Sequence, residues 1–268
     1  MVTPAQIREH YDSLSLIYRT FWGDHIHHGF FTDGESPEVA QIKLLDHCAS
    51  LLNLRGGESV LDAGCGHGGT LLYLAQQFGC SGTGLTLSPK QAAIAQETAR
   101  KTGQDRVLQF FVQDVDSLLF PSARFDLVWA MESTEHFAAK ARFLQNVSAT
   151  LRPCGKLLLT AWTGSMENAR VREVARAFLC PELWTSDQYC RAAEPAGLQV
   201  QCCEDLTPQV IRTWKICRDR VRFARAAVAL LPRAARDFVE GIDIIMDAYQ
   251  TGSLTYSAMV FAHPSPNP

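Results

Sequence analysis

Glu58–Thr70 reads ESVLDAGCGHGGT, and how this stretch is parsed decides the fold. Val60 and Leu61 are apolar and β-prone. Asp62 follows, then Gly64, Gly66, Gly68 and Gly69 crowd around Cys65 and His67, and Leu71–Phe78 has a helical composition. The stretch is therefore a buried strand, a glycine turn and a helix start. Without a Cβ in the way, such a turn lets a ligand approach the backbone. The helix start adds free N–H groups and partial positive charge, which suit an anionic group.

Gly64, Gly66 and Gly69 fit G-x-G-x-x-G, a pattern that alone is weak evidence for a dinucleotide. A dinucleotide site also wants an acid about 20 residues on, at the end of the second strand. That strand, Ser81–Leu87 (SGTGLTL), ends at Thr86 with no acid. Asp62 is the better clue, because a carboxylate ending strand 1 can hold an ammonium group beside the turn.

Outward from this point, residues 56–162 alternate strand and helix. Strands are expected at 58–62, 81–87, 107–112, 125–131 and 155–162, and helices at 70–78, 88–102 and 136–151. Ser88-Pro89 is a helix start, with Ser as N-cap and Pro at the first turn. The alternation implies an α/β fold, a mostly parallel Rossmann-like sheet with helices on both faces. Ligands of such sheets bind at the carboxyl ends of the strands, where Asp62, Thr86, Asp114 and Glu132 fall. Asp114 is placed to accept from an adenine amino group, and Thr86 and Gln91 to bond ribose hydroxyls. After strand 4, Glu132 and His136 are expected four apart at a helix entrance. Histidine is the natural base near neutral pH.

The chain has 268 residues, 47% hydrophobic and 20% charged, enough for a substantial core. A net charge of −3 implies no nucleic-acid partner. No apolar run reaches a membrane span, and MVTPAQIREHYD has no signal-peptide hydrophobic region. Nine cysteines without a C-x-x-C pair point to reduced thiols, a cytoplasmic setting and no zinc site. His25, His27 and His28 in WGDHIHHGFF are poorly spaced for a metal, so none is expected. A flexible aromatic segment closing over a ligand fits better.

VLDAGCGHGG resembles motif I of class I S-adenosylmethionine-dependent methyltransferases. Together with YDSLSLIYRTFWGDHIHHGFF, GLTLSPKQ, VWAMESTEH and LRPCGKLLLTAW, it resembles the γ-tocopherol methyltransferase-like branch. That branch is related to the cyclopropane synthase and phosphoethanolamine methyltransferase groups. The resemblance implies S-adenosyl-L-methionine as cofactor and a small-molecule methyl acceptor. It makes Tyr11 a lid tyrosine and places His28-Gly29 near the cofactor carboxylate. It gives Gly64 and Gly66 the methionine part, Thr86, Leu87 and Gln91 the ribose and adenosine, and Asp114-Val115 the adenine, with Met131 also on the cofactor side. Glu132 and His136 match the acid-x-x-x-His pair facing the acceptor. Departures at Thr134, Phe137-Ala138 and Cys154-Gly155 bear on acceptor choice.

The resemblance also implies a seven-stranded sheet whose last strand, 256–262, is antiparallel. The expected division is an N-terminal lid at 1–55, a cofactor core at 56–204, a helical cap at 205–250 and a last strand with tail at 251–268. Within the cap, the helix around 211–228 carries an apolar stripe (Ile211, Trp214, Cys217, Val221, Ala224, Val228). A basic stripe lies beside it (Arg212, Lys215, Arg218, Arg222, Arg225). It reads as a solvated face, an anion site or a membrane-surface contact. The expected reaction is methyl transfer to carbon, nitrogen or oxygen of an aromatic or lipophilic metabolite. His136 serves as base, with Glu132 orienting it or the substrate. An NAD-dependent oxidoreductase and a non-catalytic cofactor-binding protein are the competing classes.

Overall fold

Alternating apolar segments and capped helices give this chain one twisted sheet, in a computed structural model that describes residues 2–22, 25–117, 122–223 and 233–264. The strands are β1 (Ser59–Ala63), β2 (Ser81–Thr86), β3 (Leu108–Val112), β4 (Phe125–Met131), β5 (Leu151–Thr163), β6 (Gln199–Asp205) and β7 (Thr255–Ala262). Their order is β3-β2-β1-β4-β5-β7-β6. β1 to β5 run parallel, and β7 is antiparallel to both neighbours. The order reverses between β1 and β4, which opens a crevice at their carboxyl ends.

The helices on the sheet faces are α2 (Pro37–Leu52), α3 (Gly69–Phe78), α4 (Pro89–Lys101), α5 (Lys140–Thr150), α6 (Ala169–Ala177) and α7 (Ser186–Ala193). Ser88 caps α4, its hydroxyl accepting from the Gln91 N–H, as its sequence foretells. Over the strand ends lie α1 (Pro4–Trp22), α8 (Thr207–Val210), α9 (Arg212–Phe223) and α10 (Arg233–Gln250). α1 packs on α4 and α10, and α10 on α6 and α9.

Two expected boundaries move. α5 starts at Lys140, not 136, because Glu132–His136 sends its side chains to tertiary partners instead of winding a helix. Glu132 sits at φ +48°, and the Ser133 hydroxyl donates to Ala63 O at 2.6 Å. Thr134 bonds the Tyr189 hydroxyl at 2.9 Å, and Glu135 accepts from the Trp162 N–H at 2.7 Å. Thr134–His136 forms only a 3-10 turn. β5 starts at Leu151, not 155, with Cys154 at φ +63° and a register shift opposite β4. This is the geometry of a bulge.

Candidate active site

The crevice between β1 and β4 is a cleft of about 1150 Å³, counting its open mouth. Twelve of the fourteen residues singled out from the sequence line it: Tyr11, Asp62, Gly64, Gly66, Thr86, Leu87, Gln91, Asp114, Val115, Met131, Glu132 and His136. Gly64 lies at φ +92°, and a Cβ there would fall 2.4 Å from the Ser133 Cβ. Gly66, at φ +51°, would project a Cβ with no atom of the described residues within 4 Å. The first glycine lets β1 and β4 approach each other, and the second leaves backbone open to the cleft.

Asp62 ends β1 and is buried, with no hydrogen-bond partner at Oδ2 among the described residues. Burial pushes its carboxyl up to about 8. A ligand ammonium would supply the missing donor and restore the carboxylate charge. At the opposite wall the Thr86 hydroxyl donates to Gln91 Oε1 at 2.8 Å, so the Gln91 amide N–H groups remain as its donors. Asp114 accepts from the Asp116 N–H at 2.9 Å while lining the cleft. An amino acid ammonium at Asp62, a backbone cradle at Gly64–Gly66 and polar groups for a nucleoside match S-adenosylmethionine.

A smaller, inner chamber opens beside the cleft. Trp162, Phe178, Trp214 and Phe238 wall it, with His28 and Glu135 among its polar lining. The Trp162 and Phe178 rings meet edge to face at 5.0 Å, as do Phe178 and Trp214 at 5.4 Å. Tyr11, Ile26, His27, Glu132 and His136 line both spaces. At that boundary the Tyr11 hydroxyl meets His136 Nε2 at 2.7 Å. One residue on, the Asp12 carboxylate accepts from the Ser88 hydroxyl, and Lys90 Nζ donates to Asp12 O at 2.9 Å. These bonds hold α1 across the cleft mouth.

Residues 3–240 match the family described as mycolic acid cyclopropane synthetase. The chain belongs to that family. Its relatives include the chloroplastic tocopherol O-methyltransferase of Arabidopsis thaliana, 27% identical over 96% of this chain and 82% of the relative. The 27-O-demethylrifamycin SV methyltransferase of Amycolatopsis mediterranei is 31% identical over 81% of this chain and 82% of its own. The cyclopropane synthase MmaA2 of Mycobacterium tuberculosis shares the fold, with a TM-score of 0.86 at 21% identity over 97% of this chain and 98% of that one. This member of the mycolic acid cyclopropane synthetase family is an S-adenosylmethionine-dependent small-molecule methyltransferase.

Three expectations about the site change in this family member. His28 and Gly29 do not line the cleft. His28 is turned into the inner chamber by its bonds to Glu132, and the Gly29 N–H donates to Thr213 Oγ1 at 2.9 Å. Glu132 bonds His28, not His136. Its Oε2 lies 2.8 Å from His28 Nδ1, and its Oε1 accepts from the His28 N–H and the Tyr256 hydroxyl, each at 2.8 Å. Burial works to raise the Glu132 carboxyl, but the charge and hydrogen bonds of His28, with His27, outweigh it and hold the group below its ordinary value. Finally, both ring nitrogens of His136 are engaged, one by Tyr11 and Nδ1 by Leu179 O at 3.3 Å. Burial lowers its pKa to about 4, so it stands neutral.

Of the basic stripe, none of Arg212, Lys215, Arg218 and Arg222 lines either space. The Arg212 guanidinium lies over Phe31 at 5.1 Å and bonds Asp33 O, and Lys215 and Arg222 are exposed. Ala224, Arg225 and Val228 lie outside the described residues. The sequence reading missed Ser133, which pins β4 to β1, and all four chamber aromatics as site residues. The one local signal for Ser133 is its place in the loop directly after β4, where functional residues concentrate.

Proposed function

We propose that the acceptor is a small metabolite with a flat, apolar body, and that it lies in the inner chamber while S-adenosylmethionine fills the cleft. The observation that carries this reading is the pair of spaces meeting at Tyr11 and His136, one lined by a carboxylate and open backbone, the other by aromatic rings packed edge to face. When bound, the sulfonium of the cofactor supplies an electrophilic methyl carbon. The protein's part is to align acceptor and donor and exclude water, which supplies several kcal/mol of the barrier, on the order of 7–11 at best. The relatives named for tocopherol and a rifamycin are, by their names, methyltransferases of small molecules.

In this reading Tyr11 and His136 are the closing contact between lid and core. Their hydrogen bond and edge-to-face packing at 5.4 Å seal the boundary where the methyl group crosses. Glu132 supports the chamber side through His28 and Tyr256. Gln91, Leu87, Asp114 and Val115 hold the nucleoside, and Asp62 the ammonium. The nine free thiols accord with a reducing, cytoplasmic compartment.

Methyl-labelled S-adenosylmethionine, offered with phenolic quinols, indoles, small amines and prenyl diphosphates, tests the reading. Label transfer to a flat or greasy acceptor, located by mass and NMR, is the expected result. Transfer to small polar amines alone would overturn it.

A further inference from the structure

The chamber contains a histidine that the closing contact does not use. His28 is 2% exposed, and its Nδ1 faces the Glu132 carboxylate at 2.8 Å. An ionised carboxylate only accepts, so Nδ1 carries a proton, and in the neutral imidazole Nε2 is the atom that holds the lone pair. Among the described residues Nε2 has no partner. Glu132 is itself locked by the His28 N–H and the Tyr256 hydroxyl, which leaves the imidazole little freedom to turn.

A second polar atom in the chamber is also unmatched. Trp162 lies with its ring 6.2 Å from that of His28, and among the described residues its Nε1–H has no acceptor. Buried polar atoms are rarely left without partners unless a ligand or water completes them. His27 Nε2 and Glu135 Oε2, also on the chamber lining, are unmatched among the described residues too, but the His28 lone pair and the Trp162 N–H are the pair complementary to a hydroxyl, which donates to the first and accepts from the second. An ammonium group cannot accept, and a hydrocarbon does neither.

We propose that His28 is a further catalytic residue, taking the proton of a phenolic hydroxyl held between His28 Nε2 and Trp162 Nε1, with Glu132 as its positioning residue. This rests on the reading of the inner chamber as the acceptor pocket. As the acceptor oxygen bonds the methyl carbon, the carbon–sulfur bond breaks and its electron pair returns to sulfur. The hydroxyl proton passes to His28 Nε2. Glu132 balances the imidazolium, which then releases the proton to water. His136 is placed less well for this step, because its lone pair is already met by Tyr11.

The test uses 4-nitrophenol, whose absorbance separates phenol from phenolate. It is titrated into the full chain saturated with S-adenosylhomocysteine, at a pH below its own pKa. The unmodified protein is expected to bind it with a gain in phenolate absorbance. His28→Gln should abolish that gain and weaken binding by about tenfold to a hundredfold. Nitrobenzene, which lacks the hydroxyl, should bind both proteins alike. Glu132→Gln, which keeps the carbonyl acceptor but not the charge, should reduce the absorbance gain even if His28→Gln does not fold. Equal 4-nitrophenol binding in the unmodified protein and His28→Gln, a parallel loss of nitrobenzene, an absorbance gain untouched by Glu132→Gln, or no binding at all would overturn the proposal. S-adenosylhomocysteine affinity, measured alongside, reports on the cleft alone. If that ligand fails to bind, the cofactor assignment falls, and the nitrophenol comparison is run on the ligand-free protein.

Discussion

The cleft and the inner chamber adjoin, yet they are built in opposite ways. Most of the cleft comes from positions at or just past the ends of successive strands, Asp62 to Gly66 at the end of β1, Thr86 and Leu87 at the end of β2, Asp114 and Val115 after β3. The chamber gathers Ile26–His28, Glu135, Trp162, Phe178, Trp214 and Phe238, from segments that do not neighbour one another in the chain. A cofactor shared across a fold can be served by local geometry, whereas an acceptor particular to one protein is served by side chains that only tertiary packing brings together.

The sharpest way to break this comparison is at the boundary. Tyr11→Phe and His136→Ala each remove the same hydrogen bond. Both should lower turnover by about 10²-fold, the cost of a small misplacement, and leave S-adenosylhomocysteine affinity nearly unchanged. If His136→Ala instead loses far more than Tyr11→Phe in steady-state kinetics, His136 is a base in its own right and the boundary is more than a seal.

A smaller effect sharpens the cleft side. Burial raises Asp62 from 3.8 to about 8, so the folded, ligand-free protein holds that proton more tightly than the unfolded chain does. Its contribution to stability is full below the unfolded value, falls as pH rises through this window and levels off above about 8. Glu135, also lifted to about 8 by burial, adds a slope of the same sign. Asp62→Asn removes the buried carboxylate. In thermal melts near the top of that window the ligand-free variant should melt higher, by about 2–4 °C for each kcal/mol relieved. Equal melting at both ends of the window would mean that Asp62 is satisfied without ligand.

The smallest effect is expected outside both spaces. The double variant Lys215→Ala with Arg222→Ala should change turnover by no more than about twofold, since exposed charges far from a site are screened by salt. A larger loss in the labelled-methyl assay would put an anionic part of the acceptor on that face.

Legibility in the sequence follows the same division. Strand ends were readable because apolar runs, glycine turns and the Ser88-Pro89 cap are local signals. The antiparallel β7 came from the family pattern, since no feature of Thr255–Ala262 itself states its direction. The start of α5 was misplaced because propensity cannot anticipate that Ser133, Thr134 and Glu135 would all be bonded to other strands and helices. For the same reason Glu132 was assigned to His136. Spacing along the chain suggested that pair, while a loop more than a hundred residues earlier supplied His28. Of the chamber aromatics only Trp214 stands out in the sequence, as part of an apolar stripe, and by burial all four belong to the core.

The most direct test of two compartments is calorimetric titration of S-adenosylhomocysteine into the unmodified protein, Asp62→Ala and Trp214→Leu. The ligand keeps the ammonium that Asp62 is assigned to hold. Losing that charged hydrogen bond should weaken binding by about tenfold to 150-fold, while Trp214→Leu should stay within a few-fold of the unmodified protein. Undiminished affinity in Asp62→Ala, or a loss in Trp214→Leu as large as the one expected at Asp62, would contradict the separation of cofactor cleft from acceptor chamber.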